Sequence, residues 1–177
     1  MKQLLLVSCL LSLSAILGLP EVKADVRMPL IFGNHMVLQQ DTRITIWGWA
    51  DAGENIEVLF AGQKVRTTAN ADGTWQVKLK PVKTKKKGET LTITGKNKLV
   101  YSDVLVGDVW VASGQSNMEW GIKVRKEYAD DIAHSEDSLL RLFFVPKNTS
   151  LQPLSEIEIP QGTASPCLLY TSDAADE

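Results

Sequence analysis

The chain has 177 residues, 44% of them apolar and 23% charged, with a formal net charge of -2 at neutral pH. That balance describes a globular chain, excludes the high-charge, low-hydrophobicity composition of a disordered one, and gives no electrostatic case for nucleic acid. Lysines concentrate only at Lys83, Lys85, Lys86 and Lys87, a run read as a solvated loop rather than a phosphate-binding patch.

Residues 1–24 read as a secretory signal peptide. Lys2 gives a short basic start, Leu4 to Leu19 is an apolar stretch, and Val22-Lys23-Ala24 offers small residues where a signal peptidase cuts. The apolar stretch is too short and too weakly flanked for a committed membrane span. Acylation at Cys9 is the weaker alternative, because most of the apolar segment would then lie on the mature side of the cut. The mature chain is expected to begin at Asp25, in a secreted or periplasmic location, with no membrane attachment after cleavage. Cys167 is the other cysteine, so the mature chain has no disulfide pair to form. His35 and His134 are the two histidines. Neither sits in a metal-ligand spacing, so no metal site and no cofactor are expected.

From Asp25 to Asp103 the pattern has a period of two. Ile44 and Ile46 share one face of a strand whose other face carries Thr45, Trp47 and Trp49. Further strands are predicted around Ile56–Phe60, Trp75–Leu79 and Leu91–Thr94. Turn chemistry separates them at Ala61-Gly62, at Asp72-Gly73 and at the Gly88 that closes the lysine run. Short strands at such intervals predict a small antiparallel β-sandwich over residues 25–103. Five tryptophans raise a sugar-stacking possibility, but Trp75 alternates in phase with Val77 and Leu79 and reads as core. Trp47 and Trp49 are also assigned to the core, with a stacking platform as the alternative.

After Tyr101 the run Asp103-Val104-Leu105-Val106-Gly107-Asp108-Val109-Trp110-Val111-Ala112 is nearly continuous in apolar character, as expected of a strand covered on both faces in an α/β sheet. It ends at Ser113-Gly114-Gln115-Ser116, and Asn117-Met118-Glu119 places an acid three positions after Ser116. That spacing is a capping box and predicts a helix start. A strand, a glycine-containing turn and a serine at a helix N-terminus expose a hydroxyl where α/β sheets place their ligands. Spacing alone leaves Ser116 equally a helix cap or a nucleophile.

The block Gly107-Asp108-Val109-Trp110-Val111-Ala112-Ser113-Gly114-Gln115-Ser116-Asn117-Met118-Glu119-Trp120 resembles the first block of the SGNH (GDSL-like) hydrolases, in the variant of the sialate O-acetylesterase group. Pro29 to Gln40 and Ile46-Trp47-Gly48-Trp49-Ala50 are similar to the opening of the same proteins, which carry a β-domain before the esterase core. Arg141-Leu142-Phe143-Phe144-Val145-Pro146 resembles their next strand. The resemblance runs from about Met28 to about Ile159. It implies that residues 104–166 begin an α/β esterase domain left incomplete here, and that Ser116 is the nucleophile of a secreted carbohydrate esterase acting on O-acetylated sugars such as a sialate 9-O-acetyl group. It implies an oxyanion hole to which Ser116 contributes its backbone N–H, with Gly114, Gln115 and Asn117 shaping the turn and pocket. The family's histidine and its acid fall near the end of the catalytic domain, so His35 and His134 are read as incidental and the chain as lacking its base.

Residues 167–177, Cys167 to Glu177, read as the in-frame translation of a transposon-end sequencing adapter. A truncated esterase core would leave apolar faces exposed, so the β-domain is expected to fold while the remainder frays and aggregates. The alternative function is a noncatalytic β-sandwich that binds glycan or packs on a partner domain. Asn148-Thr149-Ser150 forms a glycosylation sequon and is given no weight.

Overall fold

In a computed structural model of the chain, the described residues are 25–116, 126–135, 137–145, 149–157 and 168–170. The strands among them are β1 (Val37–Gln39), β2 (Ile44–Trp49), β3 (Asn55–Phe60), β4 (Gln63–Thr68), β5 (Thr74–Leu79), β6 (Lys85–Thr94), β7 (Lys98–Gly107), β8 (Arg141–Phe143) and β9 (Leu168–Tyr170). A 3-10 turn at Lys126–Tyr128 leads into a five-residue helix, α1 (Ala129–Ala133). The expected signal peptide, residues 1–24, lies outside the described residues.

Strands β1 to β7 form two sheets, one of five strands in the order β1-β7-β6-β3-β4 and one of two strands, β2-β5. Alternation explains how they face each other. Ile44 and Ile46 of β2, with Trp75, Val77 and Leu79 of β5, point to one side of the small sheet. Ile56, Val58 and Phe60 of β3, Leu91 and Ile93 of β6, and Val104 and Val106 of β7 point inward from the large sheet, and all belong to a single buried cluster. Trp75 retains 2% of its exposure and Ile46, Val58, Leu91 and Ile93 none. Glu54 is buried, and its carboxylate is satisfied by the backbone N–H groups of Lys96 at 2.6 Å and Asp51 at 3.2 Å.

The sheet is mixed rather than purely antiparallel. Strand β1 runs parallel to β7, with Val37, Leu38 and Gln39 opposite Leu105, Val106 and Gly107. The expected antiparallel sandwich is corrected at this edge, because β1 precedes the sandwich strands in sequence and no hairpin connects it to β7. The N-terminal strap that leads to β1 is tied down at several points. Asn97 bonds both the N–H and the carbonyl of Val26, at 2.8 and 3.0 Å, and Arg27 exchanges two backbone bonds with Trp49. Gly48 permits this close approach, since a Cβ there would run into the Arg27 carbonyl.

Three local expectations also change. Lys85–Lys87 are solvent-exposed but belong to β6 rather than to a loop. Trp47 is 38% exposed on the outer face of β2, and Trp49 is only half-buried beneath the Arg27 guanidinium, 4.0 Å above its ring. A two-stranded sheet has one inward face, and the isoleucines and Gly48 occupy it. The strand predicted through Ala112 ends at Gly107. Val104, Leu105 and Val106 are all buried, which is why the run reads as covered on both faces, but its neighbours are β1 and β6 of the β-domain. Beyond Gly107 the chain is held by side chains, with Gln39 accepting from the Val109 N–H at 2.8 Å and Gln40 donating to Asp108 at 3.1 Å. Val109, Trp110 and Val111 then stand 49%, 88% and 92% exposed.

Replacing Trp75 with Ala should lower unfolding stability by about 3–5 kcal/mol, because a large side chain leaves a fully packed site. Trp75→Phe should cost less than half as much, since the indole N–H has no hydrogen-bond partner to lose. Urea unfolding of the two variants measures the difference. Trp110→Ser should reduce binding of a hydrophobic dye and self-association while shifting stability by no more than about 0.5 kcal/mol, as its indole is outside the core. Dye fluorescence and sedimentation velocity check this, and an unchanged dye signal would locate the sticky surface elsewhere.

Candidate functional site

Ser116 stands at the far end of the segment that leaves β7. Gly114, Gln115 and Ser116 are all exposed, and the nine residues after Gly107 include no strand. The hydroxyl-bearing residue is therefore presented to solvent rather than folded into the core. Asn117, and the capping-box acid Glu119 with it, lie outside the described residues.

The two histidines take different places. His134 caps α1, its backbone N–H reaching Asp131 O at 3.3 Å and its ring Nδ1 lying 2.7 Å from the carbonyl of Asp130. His35 is more organised than the sequence indicates. Its Nδ1 lies 2.8 Å from Asp103 Oδ2, and the same oxygen lies 3.0 Å from the Arg141 guanidinium. An ionised carboxylate can only accept, so Nδ1 carries the proton in this pair. The His35 hydrogen bond, helped by the Arg141 guanidinium, holds the Asp103 carboxyl below its ordinary value against the opposing effect of partial burial.

Backbone geometry concentrates at the same place. His35 and Asp103 both adopt left-handed conformations, with φ of 64° and 52°, a region that His and Asp enter more readily than most side chains. Opposite them, β6 shifts register between Lys85 and Glu89 and again between Glu89 and Leu91. Gly88 sits in this bulge with Asp103 against it: a Cβ on Gly88 would lie 2.7 Å from Asp103 Cα. Residue 88, which lies within β6 rather than at the expected turn, is therefore required to be glycine by close approach.

The pair is not arranged as a base for Ser116 along the sheet. His35 and Asp103 precede the parallel β1-β7 pairing, whereas Ser116 follows its other end, past Gly107. Sequence reasoning set His35 aside and read Asp103 as the start of an apolar strand. The available signal was a charged residue opening an otherwise apolar run, with a histidine two positions before Val37. Among the described residues, no group of three or more His, Cys, Asp or Glu is placed to hold a metal ion.

A second tether joins the later chain to the β-domain. Glu156 accepts the Leu30 N–H at 3.0 Å and lies 3.6 Å from Arg27. At the position of the expected strand, β8 covers three residues and pairs with β9, Arg141 opposite Tyr170 and Phe143 opposite Leu168, within the residues read above as adapter-derived.

No protein-family model matches the chain. It is 32% identical over 141 residues to the sialate O-acetylesterase of Mus musculus, an overlap of 71% of this chain and 26% of the relative. It is 34% identical over 141 residues to that of Rattus norvegicus and 28% identical over 148 residues to that of Homo sapiens. The chain thus spans about a quarter of the length of the curated relatives it matches. Among solved structures, a carbohydrate acetylesterase from Xanthomonas citri superposes with a TM-score of 0.69 at 37% identity, covering 74% of this chain and 30% of that one. By sequence and by fold, the chain groups with the sialate O-acetylesterase-like proteins.

Proposed function

We propose that the chain carries the nucleophile-bearing segment of a secreted carbohydrate O-acetylesterase, with Ser116 as the nucleophile. The observation that carries this reading is the exposure of Ser116 in the Ser-Gly-Gln-Ser-Asn-Met block, in a chain similar to acetylesterases at up to 37% identity. The substrate class is an O-acetylated sugar, with the sialate ester favoured by the names of the curated relatives. Residues 104–166 are read as the start of an SGNH esterase domain and residues 1–24 as its secretion signal. Among the described residues, no helix is long and apolar enough to cross a membrane.

In this mechanism the Ser116 Oγ attacks the acetyl carbonyl carbon and its proton passes to a base. The negative charge that develops on the carbonyl oxygen is met by the Ser116 backbone N–H. Breakage of the bond to the sugar oxygen, which takes up the proton, leaves acetyl-Ser116, and water then releases acetate and restores the hydroxyl. His35 lies before one end of the β1-β7 pairing and Ser116 beyond the other, and His134 caps a short helix. The base and its acid are therefore assigned to the portion of the esterase that the relatives carry beyond the quarter matched here. Residues 167–177 are assigned to adapter-derived sequence, which DNA sequencing outward from the codon for Pro166 tests directly.

A second reading, a glycan-binding module without chemistry, draws on the exposed Trp47, whose ring meets the edge of Phe32 at 4.7 Å. One assay separates the two. Acetate release from 9-O-acetylated sialosides and from acetylated xylan should be measured for a protein of the relatives' length that contains this segment. Ser116→Ala should lower turnover at least about a thousandfold with little change in sugar binding. Full retention of turnover in the variant removes Ser116 from the chemistry.

A further inference from the structure

The outer face of the β2-β5 sheet carries one sign of charge. Side chains alternate along each strand, and the register sets the outward ones in rows, Thr45 opposite Lys78 and Trp47 opposite Gln76. One row beyond the Ile44-Leu79 pair, Arg43 precedes β2 at the end of the sheet where Lys80 follows β5. Arg43, Trp47, Gln76, Lys78 and Lys80 are exposed, and these three rows hold no carboxylate. We propose that this face binds a glycan through a carboxylated pyranose, of the sialic or uronic acid type, stacked on Trp47. The inference gives the glycan-binding reading of Trp47 a ligand class and rests on that reading. It does not depend on chemistry at Ser116, which follows β7 of the other sheet.

Each part of such a sugar has a counterpart. The C–H face of a pyranose is apolar and sheds water against an indole. Trp47 stands 38% exposed, and a T-shaped contact with the buried Phe32, ring centroids 4.7 Å apart, fixes the direction of its ring. Gln76 is its cross-strand neighbour, within reach of ring hydroxyls as both donor and acceptor. Lys78 is its diagonal neighbour, about 7–8 Å away. That spacing sets an ammonium on a flexible stem beside a carboxylate at the edge of a stacked ring.

The cations are available for a ligand. Arg27, Lys64, Arg66, Lys85 and Lys96 of the β-domain have carboxylate partners. Arg43, Lys78 and Lys80 take part in none of the ion pairs found among the described residues. Three carboxylates stand at the margins. Asp72 is held by the N–H and hydroxyl of Thr74, Glu156 by Leu30 and Arg27, and Asp41 lies in the bend before Arg43. Residues 25–107 hold twelve Lys and Arg against eight Asp and Glu, although the chain as a whole is net negative. An aromatic platform beside cations in a basic domain suits an anionic sugar better than a neutral one.

Calorimetric titration of the 177-residue chain with sialyllactose, tetragalacturonate and lactose tests this. At low salt the acidic sugars should bind at least roughly tenfold tighter than lactose, and high salt should erase the difference. Trp47→Ala should weaken every sugar at least about tenfold. Lys78→Gln, an exposed change that spares the fold, should weaken the acidic sugars roughly three- to tenfold and lactose not at all, and it carries the test if Trp47→Ala unseats Phe32. Tighter binding of sialyllactose assigns the site to sialosides, and tighter binding of tetragalacturonate to uronic-acid polysaccharides. Equal affinity for lactose would overturn the proposal and leave the glycan-binding reading standing, whereas no binding of any sugar would remove both. Tighter binding of a single-stranded oligothymidylate than of either acidic sugar would also overturn it, as would a dimer that Trp47→Ala dissolves with sugar binding unchanged.

Discussion

Burial of one apolar face from each of two sheets is the constraint on which the rest of this structure depends. The two-stranded β2-β5 sheet has only Ile44, Ile46, Trp75, Val77 and Leu79 to set against the inner residues of the larger sheet, so the indole of Trp75 supplies much of the area that closes the core. Once that face is committed, Trp47 and Trp49 on the opposite face must find other surroundings. Trp49 finds Arg27, Arg27 approaches Glu156, and the outer face of a small sheet thereby becomes a fastening point for the later chain.

Strand β7 has the central structural role. It is the second strand of the larger sheet, between β1 and β6, and Val104 to Val106 near its C-terminal end are buried without a break. A strand so firmly held is a rigid origin for whatever leaves it, and what leaves it is the Gly107 to Ser116 segment. The glutamines at the end of β1 extend that control one step further, since Gln39, its last residue, and Gln40, the next, bind the first two residues beyond Gly107. Past them, Val109, Trp110 and Val111 present apolar side chains to solvent. Such a surface suits burial against more protein.

The cluster of His35, Asp103, Gly88 and Arg141 joins β8 to the β-domain through a single carboxylate. One carboxylate, aimed by an unusual backbone and backed by a glycine, meets a cation from far along the chain. Breaking such a pairing costs more when one partner is desolvated, as Arg141 is, because a buried charge is then left uncompensated.

Much of the β-domain was legible in residue order alone. Alternation in Ile44–Trp49, Ile56–Phe60, Trp75–Leu79 and Leu91–Thr94 determined four strands and the inward direction of Trp75, because side-chain direction in a strand follows from local period. The Ser-Gly-Gln-Ser-Asn-Met block, with its place after an apolar run, likewise determined where the candidate nucleophile stands and which proteins it resembles. Tertiary structure alone decided that β1 pairs parallel to β7, that the apolar run ends its pairing at Gly107, that Lys85–Lys87 are strand, and that Trp47 faces outward. It alone brought His35, Asp103 and Arg141 together. The reason is physical: a period of two is written in neighbouring residues, whereas pairing direction, sheet membership and ion pairs are set by contacts between residues tens of positions apart, which no local pattern records.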